Sequence, residues 1–214
     1  MTNIFKRPEK HDRKEQLFEI GIEALQHEGW TVAREKGLGK ASVRRITKNG
    51  DTKLVSIRTT QDTWLAFPPK PNGKGWITLD EVDVVLAVSV DPASKGEAWA
   101  HWLPANEMRE RFDRAYKARK EAGRKLPKGR GVWIPLYERE DDKPGNVGYV
   151  GGGAGVDHKP IARVPLNGRA VENPTTKPRD LEDDEAPLTI ADAKRRLSLS
   201  LGVPESSIKI TVEA

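Results

Sequence analysis

The sequence contains no cysteine, which excludes disulfide bonds, thiolate nucleophiles and cysteine-ligated zinc and is typical of a reducing compartment. No apolar run approaches the ~18 residues that a membrane-spanning helix needs. The N-terminal stretch MTNIFKRPEKHDRKE lacks the apolar segment of a signal peptide. We therefore expect a cytoplasmic protein that makes no membrane contact. The histidines are too scattered to predict a metal site: His11, His27, His101 and His158.

The charge composition points to an anionic partner. Apolar residues make up 36% of the chain and charged residues 32%, which describes a soluble protein with a modest core. The net charge is +5 and the isoelectric point is near 9.3. Nucleic acid is the commonest anionic partner of basic proteins.

Hydrophobic periodicity predicts one α/β domain over residues 11–137, with a mixed central sheet flanked by helices. Residues 1–10 are expected to be a flexible arm, followed by a helix from Asp12 that Gly29 ends. A second helix is expected from Asn106 to Ala122, closed by Gly123. The predicted strands are residues 30–34, 42–47, 53–60, 64–67, 82–90, 98–103 and 131–137.

The composition changes after residue 137. Residues 138–187 are rich in glycine, proline and acidic side chains, and are expected to form a polar linker. The glycine-rich stretch 148–155 is not followed by Gly-Lys-Ser/Thr, so a flexible connector is preferred to a nucleotide-binding loop. Residues 188–214 predict a helix-strand tail, which is too small to fold alone and should dock on the domain or on a protein partner.

Three arginines lie on the predicted hairpin around the Asn49-Gly50 turn. Arg44, Arg45 and Arg58 are candidates for a phosphate clamp, because the guanidinium fork suits phosphate recognition. Alternation along the strand places Arg44 and Arg45 on opposite faces. The alternative is ordinary ion pairing with acidic residues on the sheet, namely Glu35, Asp51 or Asp62. The nucleic-acid contacts predicted for this region are Lys40, Arg44, Arg45, Arg58 and Thr59.

The polar stretch Thr59–Asp62 precedes Trp64. Such a strand end can grip a phosphate or stack a base. We favour the alternative, a turn whose tryptophan fills the core.

The second predicted helix and the residues after it are strongly basic. Between Ala105 and Arg130 there are ten Lys or Arg residues and four Asp or Glu. Pairs of opposite charge at i,i+4 neutralise part of this face but leave an excess of positive charge at its C-terminal end. The nucleic-acid contacts predicted here are Arg111, Arg114, Arg119, Lys120, Arg124, Lys125, Lys128 and Arg130.

The order of elements over residues 10–137 resembles the restriction-endonuclease-like, or PD-(D/E)XK, superfamily. In that family an acidic residue on the first helix or early strands joins a (D/E)-x-K motif on the third core strand. Together they hold a divalent metal and activate water. In this sequence Val55–Thr59 occupies that strand, with Ser56 at the acid position and Arg58 at the lysine position. Serine binds Mg²⁺ weakly and arginine cannot accept a proton, so the resemblance implies nucleic-acid binding without cleavage and without a cofactor.

We therefore expect a protein that binds DNA in preference to RNA, as a targeting or regulatory subunit of a bacterial or phage defence or mobile-element system. One alternative is an active Mg²⁺-dependent endonuclease with a migrated carboxylate. Its acids would be Glu19 or Glu23 combined with Asp51 or Asp62. Another alternative is a protein-interaction adaptor that docks through residues 188–214.

Overall fold

The computed structural model describes residues 8–35, 42–125, 130–166, 194 and 207–209. The chain divides into two units, Met1–Thr176 and Lys177–Ala214, and every element below belongs to the first. The predicted arm over 1–7, most of the tail and residues 167–187 of the predicted linker lie outside the described residues. No described helix is long and apolar enough to cross a membrane.

The helices and strands follow the predicted order. The helices are α1 (Pro8–His27), α2 (Ala105–Glu121) and the single-turn α3 (Ala154–Asp157). The strands are β1 (Thr31–Arg34), β2 (Val43–Lys48), β3 (Asp51–Thr60), β4 (Trp64–Phe67), β5 (Val84–Val90), β6 (Glu97–Pro104), β7 (Val132–Pro135) and β8 (Ala162–Pro165).

A six-stranded mixed sheet has the order β1-β2-β3-β5-β6-β8, and β4 pairs with β7 in a separate two-stranded sheet. β3 and β5 are parallel, with Val55 beside Val84, and every other neighbouring pair is antiparallel. Asn49 and Gly50 both have positive φ, 50° and 89°, as the type I′ turn between β2 and β3 requires. The predicted α/β class and mixed sheet flanked by helices are confirmed.

The sheet has a hydrophobic core on each face. On one face α1 packs through Leu17, Ile20 and Leu25 against the even-numbered side chains of β5. On the other face α2 packs through Met108 and Phe112, together with the inner side chains of the two-stranded sheet. All seven residues of β5 are buried, as predicted for a central strand covered on both faces.

Two boundaries differ from the sequence-based expectations. Residues 8–10 are helical, because proline is well tolerated in the first turn of a helix. Residues 138–166, expected to begin a polar linker, fold against the domain, and β8 pairs with β6 as an edge strand. The glycine-rich stretch is closely packed: a Cβ on Gly151 would lie 2.3 Å from the backbone oxygen of Arg111. Close backbone approach explains the glycines, and the prediction of a flexible connector is wrong.

Candidate nucleic-acid interface

The two residues compared with the nuclease motif, Ser56 and Arg58, lie on β3 and on the sheet face that α2 covers. Ser56 is fully buried, and its hydroxyl oxygen has no hydrogen-bond partner among the described residues. Arg58 is half-buried, with its guanidinium carbon 4.4 Å from the centroid of the Phe67 ring. Ser56 is therefore enclosed by the core, and Arg58 packs on an aromatic ring of the same face.

The three strand arginines do not converge on one site. Arg44 lies on the α1 face, with its guanidinium 4.9 Å from the Phe18 ring centroid. Arg45 lies on the opposite face and donates two hydrogen bonds, of 2.7 and 2.9 Å, to Glu35. In the pairing of β2 with β3, Arg45 lies opposite Leu54. Leu54 and Arg58 are four residues apart along β3, a separation of about 13 Å. The Arg45–Glu35 contact is an ordinary ion pair, the alternative that the sequence had left open.

Of the two remaining nucleic-acid contacts predicted in this region, the structure describes one, Thr59. Thr59 is half-buried and has the same strand parity as Val55 and Ile57, which pack on the α1 face. Lys40 lies outside the described residues.

The four acidic residues of the endonuclease alternative are spread over the fold. Glu19 and Glu23 lie on α1, whose Gly21 packs over Ile57 in the middle of β3. Asp51 begins β3 and Asp62 follows its end, so the ten-residue strand separates them by about 30 Å. Over the described ranges, no three His, Asp or Glu side chains are grouped so that they could hold a metal ion.

Two arginines predicted to lie on the basic face of the helix instead form hydrogen bonds to other segments of the domain. Arg111, whose side chain is 12% exposed, pairs with Glu107 at 2.8 Å and with Asp157 at 2.5 Å, and donates to the Gly152 carbonyl at 2.7 Å. Burial lowers the pKa of Arg111, but the hydrogen bonds to the carboxylates of Asp157 and Glu107 and the charges of those groups outweigh it and raise the pKa above its usual value. Arg111 therefore fastens the glycine-rich stretch and α3 to α2.

Arg119 is buried and hydrogen-bonds to backbone carbonyls. Its guanidinium donates to the oxygens of Ala115 at 3.0 Å and Gly148 at 3.1 Å, and also to that of Trp133. Burial, and then the charge of Arg124, lower the pKa of Arg119. Arg119 thus connects the last turn of α2 to β7 and to the glycine-rich stretch.

The exposed cations lie along α2 and just beyond it. Arg114 is 3.9 Å from Glu140, and Lys117 is 3.9 Å from Glu121. Lys120 lies 5.5 Å from the Tyr116 ring centroid. Arg124, Lys125 and Arg130 are exposed, and Lys128 lies outside the described residues. From Arg114 to Lys125 there are five exposed cationic side chains, the buried Arg119 and one carboxylate, Glu121.

An aromatic surface lies on the outer face of the two-stranded sheet, where the sequence analysis had considered base stacking for Trp64 alone. Trp133 is 42% exposed and is paired with Ala66. Trp64 is half-buried on the same face and contacts Tyr149 edge-on, with the ring centroids 5.7 Å apart. The core is filled by Leu65 and Phe67 on the other face of β4, so the prediction that Trp64 fills the core is wrong. Side chains alternate between the two faces of a strand, and Trp133 lies between the apolar Val132 and Ile134. This pattern in the sequence indicated that Trp133 faces outward.

A buried polar chain connects β5, β6 and the segment after β7. Ser89 Oγ and Tyr137 Oη are 2.5 Å apart, and Tyr137 Oη is 2.8 Å from His101 Nε2. Ser89 and His101 are fully buried, so this chain belongs to the core and does not form a surface site. Burial lowers the pKa of His101 and raises the pKa of Tyr137 to about 12.

Comparisons of the chain with profiles of protein families, with curated protein sequences and with solved structures return no match. Function is therefore inferred from the residues themselves.

Proposed function

We propose that the protein binds nucleic acid, DNA in preference to RNA, through a restriction-endonuclease-like domain that lacks the acid–lysine pair of that superfamily. Its role would be that of a targeting or regulatory subunit in a bacterial or phage defence or mobile-element system. The biological setting comes from the family resemblance alone.

The concentration of exposed cations at the C-terminal end of α2 carries the proposal. Arg124 and Lys125 follow the helix, and Lys120 lies in its last turn. Surface cations grouped in this way neutralise phosphates and release counterions, which gives affinity that does not depend on sequence. Arg111 and Arg119 support the surface indirectly, because their hydrogen bonds fix the segments around it.

The architecture supports the nuclease-like part of the proposal. One helix precedes three antiparallel strands, and the third of them carries Ser56 and Arg58 where the superfamily has an acid and a lysine. Ser56 is enclosed by the core, which agrees with a domain that binds without cutting.

Duplex DNA binding at two salt concentrations, measured by fluorescence anisotropy with and without Mg²⁺, tests the proposal. We expect affinity to fall steeply with salt and the duplex to remain intact. The double variant Arg124→Gln/Lys125→Gln should lower the slope of log affinity against log salt by about 2, one for each phosphate contact removed. Lys14→Gln is the control, because Lys14 is exposed on α1, across the sheet from α2.

Three outcomes overturn the proposal. Failure of the wild-type protein to bind any duplex or single strand removes its basis. Equal slopes for the double variant and for Lys14→Gln remove α2 as the interface. Mg²⁺-dependent cutting that Glu23→Ala abolishes identifies the protein as an enzyme instead.

A further inference from the structure

The outer face of the two-stranded sheet displays aromatic rings that the core does not need. The inner face supplies Leu65 and Phe67 from β4, with Val132 and Ile134 from β7, and all four are buried. The outer face carries Trp133, and Trp64 lies diagonally across the strand pair from it. Exposure of 42% leaves a large part of the Trp133 side chain in solvent. Large exposed aromatic side chains are a common feature of binding surfaces.

The buried Arg119 holds the segments of this surface together. It donates to the carbonyl oxygen of Trp133, and to that of Gly148, the residue before Tyr149. Tyr149 in turn contacts Trp64. The aromatic face, meaning Trp64, Trp133 and Tyr149, is therefore built on a rigid connection to the last turn of α2.

The cations lie on the α2 side of the aromatic face. The backbone amide of Arg124 donates to the carbonyl oxygen of Arg119 over 2.9 Å, and the chain reaches Trp133 only three residues after the exposed Arg130. Lys143 lies 5.9 Å from the Tyr149 ring centroid. The carboxylates Asp141 and Asp142 near Lys143 in the chain repel an anionic chain, which is attracted instead to the cations at the end of α2.

We infer that the aromatic face stacks unpaired bases of a single-stranded nucleic acid, while its phosphates lie along Arg124 and the neighbouring cations of α2. This inference rests on the proposed function and adds the form of nucleic acid. Bases within a duplex are already stacked on each other, so an aromatic side chain on a sheet surface gains most from unpaired bases. A purely apolar protein partner would not need the adjoining cations.

The test compares binding of a labelled oligothymidylate of 15 nucleotides and of a hairpin duplex of 15 base pairs to the full chain. Trp133→Ala is expected to weaken binding of the oligothymidylate about 5- to 150-fold, the range for loss of one stacking side chain. Affinity for the duplex should change less than about twofold, and Trp133→Phe should restore most of the single-strand affinity. Val156→Ala is the matched control, because Val156 on α3 is the other exposed large apolar side chain within the described ranges, at 45%.

The outcomes separate this inference from the proposed function. If Trp133→Ala binds the oligothymidylate as Val156→Ala does while the duplex is still bound in a salt-dependent way, the inference fails and the proposed function stands. If the wild-type protein binds neither probe, both fail. If Trp133→Ala changes the oligomeric state of the unliganded protein, measured by light scattering, the aromatic face is a contact between copies and the inference is overturned.

Discussion

The phenolic hydroxyl of Tyr137 donates a hydrogen bond to Nε2 of the neutral His101 ring over 2.8 Å, and the partner of the other ring nitrogen fixes this direction. His101 Nδ1 lies 2.7 Å from the carbonyl oxygen of His158, which can only accept, so Nδ1 carries the proton. In the neutral ring Nε2 is then the acceptor. Tyr137 donates to it and accepts from the hydroxyl of Ser89. A neutral phenol and a neutral imidazole together satisfy every hydrogen bond of this chain.

Tyr137 should titrate near pH 12, because burial favours its neutral form and raises its pKa to about 12. The folded-state pKa lies above the unfolded value of about 10, so this residue's contribution to stability is lost as the pH rises above about 10. The transition is measured as the absorbance at about 295 nm as a function of pH, while circular dichroism monitors the fold. Tyr137→Phe should remove it and Tyr116→Phe should leave it. A high-pH transition that persists in Tyr137→Phe would contradict this assignment.

His101 should make the protein less stable in mild acid. Burial lowers the pKa of His101, so the unfolded chain takes up a proton that the folded protein resists. The free energy of unfolding should therefore fall as the pH drops below about 6.5, the ordinary histidine value. Urea denaturation between pH 7.5 and 5 tests this. His101→Asn should flatten the pH dependence, whatever its effect on total stability. His27→Asn, at an exposed position, should keep the wild-type slope.

The local signals in the sequence were sufficient for most of the sheet. Asn49-Gly50 specifies its own turn, because both residues tolerate positive φ, and the apolar run over residues 84–90 requires burial on both faces. The glycine-rich stretch could not be interpreted in the same way. Glycine is needed at position 151 because the backbone of Arg111 passes beside it. The spacing of residues in the sequence does not reveal such a contact between distant segments.

The basic helix shows a second reason why sequence reasoning was incomplete. Arg111 and Arg119 contribute to the local charge in the same way as Lys117 and Lys120, yet two of these four side chains are tied to the protein interior. Helical spacing did hold a signal. Arg119 follows Met108, Phe112 and Ala115 along the buried stripe of α2, so its position predicted burial even though its charge predicted exposure.

Arg111→Ala should destabilise the protein by about 2–4 kcal/mol, because it leaves the partly buried carboxylates of Glu107 and Asp157 without this partner. Hydrogen bonds from Arg111 help lower the pKa of both carboxyls against the opposing effect of burial. Urea denaturation gives the change in free energy of unfolding. Lys117→Ala is the control, because that lysine is 78% exposed and its pair with Glu121 should contribute less than about 0.5 kcal/mol. Similar losses for the two variants would contradict the structural role of Arg111.

Gly151→Ala should be far more destabilising than Gly145→Ala, although both glycines have nearly the same left-handed backbone. Their φ values are +81° and +76°, so the conformational cost of a Cβ, about 1–2 kcal/mol, is common to both variants. At Gly145 the new methyl group would meet nothing within 4 Å, whereas at Gly151 it would lie 2.3 Å from the Arg111 carbonyl oxygen.

We expect the Gly151 variant to lose at least about 2 kcal/mol more than the Gly145 variant, because the glycine-rich stretch must move away from α2 and weaken the Arg111 contacts. Chemical denaturation of both variants measures the difference. Hydrogen exchange over residues 148–158 should also accelerate in Gly151→Ala alone. Equal stability and equal exchange in the two variants would mean that this stretch does not pack on α2, since φ strain alone cannot distinguish them.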